Sequence, residues 1–133
     1  MIYAVIDTNV LVSAMITHDA ESPTTKVVQA VGQNKLVPLY DDEIIKEYID
    51  VLSRKKFGLA KTRVAKLVKA MKEKGIPAKR INSGELFPDA SDAVFYEVAI
   101  SKDGAYLVTG NKRHFPVNPI VVTPAQMVEI LGI

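Results

Sequence analysis

The sequence predicts an α/β fold of three α/β/α layers around a short central parallel sheet, in a single domain. Three observations point there. The 133 residues amount to about one domain. Short apolar runs alternate along the chain with stretches whose apolar residues recur at helical spacing. The apolar runs are unbroken instead of alternating with polar residues, as strands buried on both faces of a parallel sheet require.

Ile2–Ile6 is the first such run, and Asp7-Thr8 opens a helical stretch through Ile16. Residues 17–22 are a polar loop, and Pro23 sits where a first helical turn accepts it, ahead of a helix ending near Gly32. Leu36–Tyr40 is the next strand. Asp41, Asp42 and Glu43 then begin a helix to about Ser53, acids first, as the helix dipole favours. Its predicted buried stripe is Ile44, Ile45, Tyr48, Ile49 and Leu52. Gly58 breaks the chain before a helix over 60–74, with Val64, Leu67, Val68 and Met71 inward, and Gly75-Ile76-Pro77 stops it. A third strand is expected at Lys79–Ile81, then a loop to Pro88, then a helix from Asp89 to about Ser101 buried along Val94, Phe95, Val98 and Ala99. Asp103-Gly104 makes a turn. Ala105–Thr109 and Ile120–Val122 are strands, the loop between them has room for one helical turn, and Pro124–Leu131 closes with a helix.

The composition excludes several chemistries. With no cysteine there are no disulfides and no thiolate metal sites, and two histidines cannot build a three-histidine centre. The longest apolar runs fall far short of the ~20 residues that span a bilayer. The amino terminus lacks a basic n-region, so a cytoplasmic protein without a membrane association is expected.

The net charge of +2 conceals a division. Residues 54–80 hold eleven of the seventeen Lys and Arg and one acid, Glu73, so this segment carries +10 and the remainder −8. A lysine-rich helix suits a solvated face; it equally suits a polyanion such as RNA. The six cations on the helix itself, Lys61, Arg63, Lys66, Lys69, Lys72 and Lys74, are the candidates for RNA contact.

In open parallel sheets, ligands bind outside the carboxyl ends of the strands. Asp7 ends the first strand. It fits a helix N-cap, but a carboxylate at the end of a buried strand also calls for a cation, and no Lys or Arg is adjacent in sequence. Glu47 lies on the shoulder of its helix's buried stripe, where it can face a cleft or lie along the surface. Of the pair in Asp89-Ala-Ser-Asp92, Asp89 is assigned the cap and Asp92 the inward position. Asn111 follows a strand through Thr109-Gly110, as a turn-former or as a neutral ligand. Oxygen ligands without His or Cys select hard cations, Mg2+ or Mn2+. Such an ion serves phosphoryl transfer.

Four segments in this order resemble the PIN-domain family: Asp7-Thr8-Asn9 through Ala14, Glu43 through Leu52 with Glu47, Pro88 through Ala99 with Asp89 and Asp92, and Tyr106 through Phe115 with Thr109 and Asn111. The resemblance runs over nearly the whole chain. It implies a ribonuclease dependent on Mg2+ or Mn2+, with Asp7, Glu47 and Asp92 as catalytic and metal residues. Asp89 would be an accessory ligand, and Thr8, Asn9, Thr109 and Asn111 would support the site. Many family members have an acid where this chain has Asn111, which counts against a second metal ion but not the first. Small single-domain members often act as the toxin of a toxin–antitoxin pair, implying a small antitoxin protein as partner beside the RNA substrate. A homodimer or higher homo-oligomer is compatible with this. The alternative is an inactive RNA-binding or interaction module of the same fold. A phosphotransferase with a strand-terminal Asp nucleophile would want a second Asp where Asn9 stands, and no G-x-G-x-x-G follows the first strand to bind a dinucleotide.

Overall fold

The computed structural model describes all 133 residues. Its elements, in chain order, are β1 (Tyr3–Ile6), α1 (Thr8–Ile16), α2 (Pro23–Gly32), β2 (Val37–Tyr40), α3 (Asp42–Leu52), α4 (Lys61–Lys74), β3 (Ile76–Pro77), α5 (Ala93–Ala99), β4 (Tyr106–Val108), β5 (Val121–Val122) and α6 (Pro124–Leu131). Three 3₁₀ turns punctuate them, at Lys55–Phe57, Ala90–Asp92 and Lys112–His114. The five strands form one parallel sheet in the order β3-β2-β1-β4-β5. Helices cover it in a three-layer α/β/α arrangement. No helix is long and apolar enough to cross a membrane.

β1 is central because it is apolar on both faces. Ala4, Val5 and Ile6 are wholly buried between β2 and β4. β4 pairs with it in the register Ile6↔Val108, so the two strands end side by side.

The third strand differs from expectation. It is Ile76–Pro77, not Lys79–Ile81, and pairs with Leu39 and Tyr40. Proline is tolerated there because β3 is an edge strand, whose outward side needs no donor. Gly75 is demanded at the junction: a Cβ would collide with the Pro38 carbonyl oxygen, so only glycine lets α4 turn directly against β2. Ile81 instead gives its amide to the Glu97 carbonyl on α5.

The segment 80–83 also buries a charge that the periodicity of α5 conceals. Val94 through Ala99 are all buried, Glu97 included. Arg80 donates to Glu97 from Nε at 2.9 Å and reaches Glu43 on α3 at 2.9 Å. The Ser83 amide and hydroxyl donate to the other Glu97 oxygen. Burial acts to raise the Glu97 pKa, but these donors outweigh it and hold it below the usual carboxylate range. The predicted stripe of α3 is amended in the same way: Ile44, Tyr48 and Leu52 are buried, while Ile49 is 47% exposed beside α4.

Candidate active site

Because β1 and β4 end in register, Asp7 and Thr109 emerge together at the carboxyl edge of the sheet. The backbone fixes both: the Asp7 amide donates to Val108 O and the Thr109 amide to Val122 O, each at 2.9 Å. Thr109, fully buried, donates its hydroxyl to Asp7 Oδ2 at 2.8 Å. Asn9 donates to the same oxygen at 3.3 Å, and its carbonyl oxygen accepts from the Gly110 amide. Asp7 makes no side-chain cap on α1, so the capping role open to it in the sequence is not the one it takes. Its residue is 7% exposed. Burial, reinforced by the Asp92 charge, raises its pKa from 3.8 to about 6 against the bond from Thr109.

Asp89 and Asp92 divide their roles. Asp89 Oδ1 accepts from the Ser91 amide and hydroxyl, capping the 3₁₀ turn that leads into α5. It is exposed, and those bonds lower its pKa. Asp92, one turn later, points inward. Its Oδ2 is buried with no hydrogen-bond partner. The His114 Nδ1 stands 3.2 Å away. Burial, and then the Asp89 charge, raise the Asp92 pKa, with His114 opposing. Asn111 Nδ2 lies 2.9 Å from His114 Nε2, so Asn111 and Asp92 border the two nitrogens of one ring.

Glu47 reaches the site from α3. That helix is pinned to the strand end by the buried Tyr48 hydroxyl, which donates to Ile6 O at 2.5 Å. Glu47 itself is half-buried, and burial, with Asp50 adding, raises its pKa.

One cavity of about 370 Å³ gathers Asp7, Glu47, Asp92, Asn111, Thr8 and Asn9. His114 and Phe57 also line it, and no Lys or Arg does. Asp89 stands outside its wall, and Thr109 acts through Asp7. The Thr8 hydroxyl is buried beside the site without a partner. No three His or acidic side chains approach closely enough to hold an ion by themselves. The donors that are ready are two: the Asp7 carboxylate and the unpartnered Asp92 oxygen. Mg2+ is commonly held by one or two carboxylates, its remaining positions going to water and substrate phosphate. The residues present fit that pattern.

His114 is the site residue that sequence reasoning leaves unassigned. Its position three residues after Asn111, in a turn beyond a strand end, is the one signal for it.

The six α4 cations are spread over the length of the helix. Arg63 donates to the Met15 carbonyl at the end of α1, whose Ser13 and Ile16 line the acid cavity. At the other end, Lys74 bonds Asn34, in the turn before β2. Lys69 pairs with Glu73. Lys61, Lys69 and Lys72 border a separate groove of about 540 Å³ between α3 and α4, floored by Val64 and Val68. Lys66 is exposed.

The family model described as PIN domain matches residues 3–113, spanning every residue that lines the acid cavity except His114, which falls one position beyond. No curated protein matches the chain.

Proposed function

Since the chain belongs to the PIN-domain family, whose members are nuclease-type enzymes generally using divalent metal ions, we propose that it is an endoribonuclease dependent on Mg2+ or Mn2+. The observation that carries this reading is the pair of inward carboxylates. Asp7, with its pKa lifted to about 6, and the unpartnered Asp92 oxygen share a cavity that no Lys or Arg lines. Two such groups are costly to ionise together unless a cation meets them.

In this reading Asp7 and Asp92 are the direct ligands and Glu47 a ligand from the rim, with Asp89 accessory. Thr109 and Asn9 aim Asp7; Asn111 and His114 border Asp92. The bound ion would polarise the scissile phosphate and activate water for attack. Asn111 keeps the site one charge lower than an acid would. The basic residues of 54–80 would hold the RNA, which an acidic pocket alone repels. The cellular role proposed is that of a cytoplasmic toxin neutralised by a small antitoxin protein.

Cleavage of a defined RNA tests the activity. We expect cleavage with Mn2+ and none in EDTA, and a loss of at least ~10²-fold in Asp7→Asn, the scale of removing a key electrostatic group. Equal cleavage by Asp7→Asn would overturn it. One observation favours the second reading, an inactive RNA-binding or interaction module: no three acids stand at mutual ligand distance. That reading expects no cleavage with any metal.

A further inference from the structure

The acid cavity has an aromatic wall that the phosphate chemistry does not use. Phe57 closes the 3₁₀ turn Lys55–Phe57, is only half-buried, and lines the cavity. Three exposed cations precede it, Arg54, Lys55 and Lys56. Lys56 sits over the Phe57 ring at 5.1 Å, and Arg54 leans toward Asp50 at 4.0 Å. Gly58, at φ +61°, ends the turn and lets the chain fold back into α4.

A second basic turn borders the same cavity. Asn111 and His114 face the acids, while Lys112 and Arg113, between them, are exposed and line a neighbouring cavity of about 480 Å³. The two turns come from different parts of the fold. Lys55–Phe57 follows α3, which leaves β2; Lys112–His114 follows β4; and β1, bearing Asp7, lies between β2 and β4. Each turn thus puts a residue on the wall of the cavity that holds Asp7 and Asp92.

Cations flanking an aromatic ring beside a phosphate-cleaving pocket are the equipment of a single-strand binder. The cations meet the backbone, and the ring stacks an unpaired base of any identity. A duplex cannot offer that base, because its faces are already stacked. The α3–α4 groove suits RNA less well, since its floor is aliphatic and holds no ring.

Resting on the nuclease reading above, we infer that Phe57 is a stacking subsite for an unpaired nucleotide next to the scissile phosphate, with Lys55, Lys56, Lys112 and Arg113 holding the strand on either side.

The test uses the full chain carrying Asp7→Asn, so that RNA is bound and not cut, with fluorescein-labelled 12-nucleotide oligouridylate and a 12-base-pair RNA duplex as probes. The single strand should bind at least ~10-fold more tightly than the duplex. Phe57→Leu should weaken single-strand binding about ten- to hundredfold, the scale of one lost stack. Phe57→Trp should restore it, with indole fluorescence quenched by the oligonucleotide. Charge reversal at Lys55 and Lys56, or at Lys112 and Arg113, should flatten the log–log salt slope by about 0.7 for each phosphate no longer neutralised. Equal binding of strand and duplex, or equal affinity of the Leu and Trp forms, overturns the subsite. In the parental chain, Mn2+-dependent cleavage with KM unmoved by Phe57→Leu overturns the subsite alone; absence of both binding and cleavage overturns the nuclease reading with it.

Discussion

Asp7 is held in an environment that disfavours its own charge, and this makes a prediction with a definite sign. Its folded pKa, about 6, lies above its ordinary value of 3.8. Below pH ~4 the group is protonated in both folded and unfolded chains and costs nothing. Between pH ~4 and ~6 the unfolded chain ionises first, so stability falls across that window and stays lower above it. A shift of this size corresponds to about 3 kcal/mol. Asp7→Asn should therefore stabilise the metal-free protein by up to that amount at pH 8, and leave it nearly unchanged at pH 3.5. Urea denaturation in EDTA at the two pH values measures it, and a variant no more stable at pH 8 would contradict the assignment. Asp7 is legible in the sequence because a buried strand ends on it. Asp92 is legible because it falls at the inner edge of a helix stripe. His114 is not: nothing in Lys112-Arg113-His114 marks one face, and a three-residue turn has too short a period to show which side chain faces inward. Glu97 is hidden for another reason, since its partners Arg80 and Ser83 arrive from a loop.

At the scale of elements, the turn Ala90–Asp92 separates a capping acid from an inward one. Asp89→Ala removes the acceptor for two Ser91 donors; we expect a lower melting temperature with most of the cleavage rate retained. Asp92→Asn should do the reverse, because it alters an oxygen no protein donor satisfies. Thermal melts beside single-turnover rates separate the two, and swapped phenotypes would mean the roles are reversed. The long periodic helices are legible to within a residue or two at their ends, as α1, α2 and α6 illustrate. The third strand is not. Two residues carry no periodicity, and Pro77 reads as a helix stop until the sheet edge at β2 supplies its partner. Ile49 is misplaced by periodicity because a wheel assigns a face to α3 but not the width of the groove that α4 leaves open beside it.

Over the whole molecule, charge is sorted into two systems with different fates. Arg80 belongs by sequence to the basic segment, yet it is committed to Glu97 and Glu43 and ties α5 to α3. Because the Glu97 pKa is lowered, the stability it contributes is present above its unfolded value near 4.5 and is lost as pH falls below it. Glu97→Gln should cost about 2 kcal/mol at pH 7, the scale of removing charged hydrogen bonds, and should flatten the acid limb of the stability curve between pH ~5 and ~3. A variant as stable as the parent would show the clamp to be idle. The other cations of 54–80 stay exposed, a division of labour the net charge of +2 conceals. The central claim, that Asp7 and Asp92 share one divalent cation, is tested most directly by calorimetric titration of Mn2+ into the parent chain, Asp7→Asn and Asp92→Asn at pH 8. The account predicts one ion per parent chain and at least ~10-fold weaker binding in each variant. Equal binding by all three, or no binding by the parent, would contradict it.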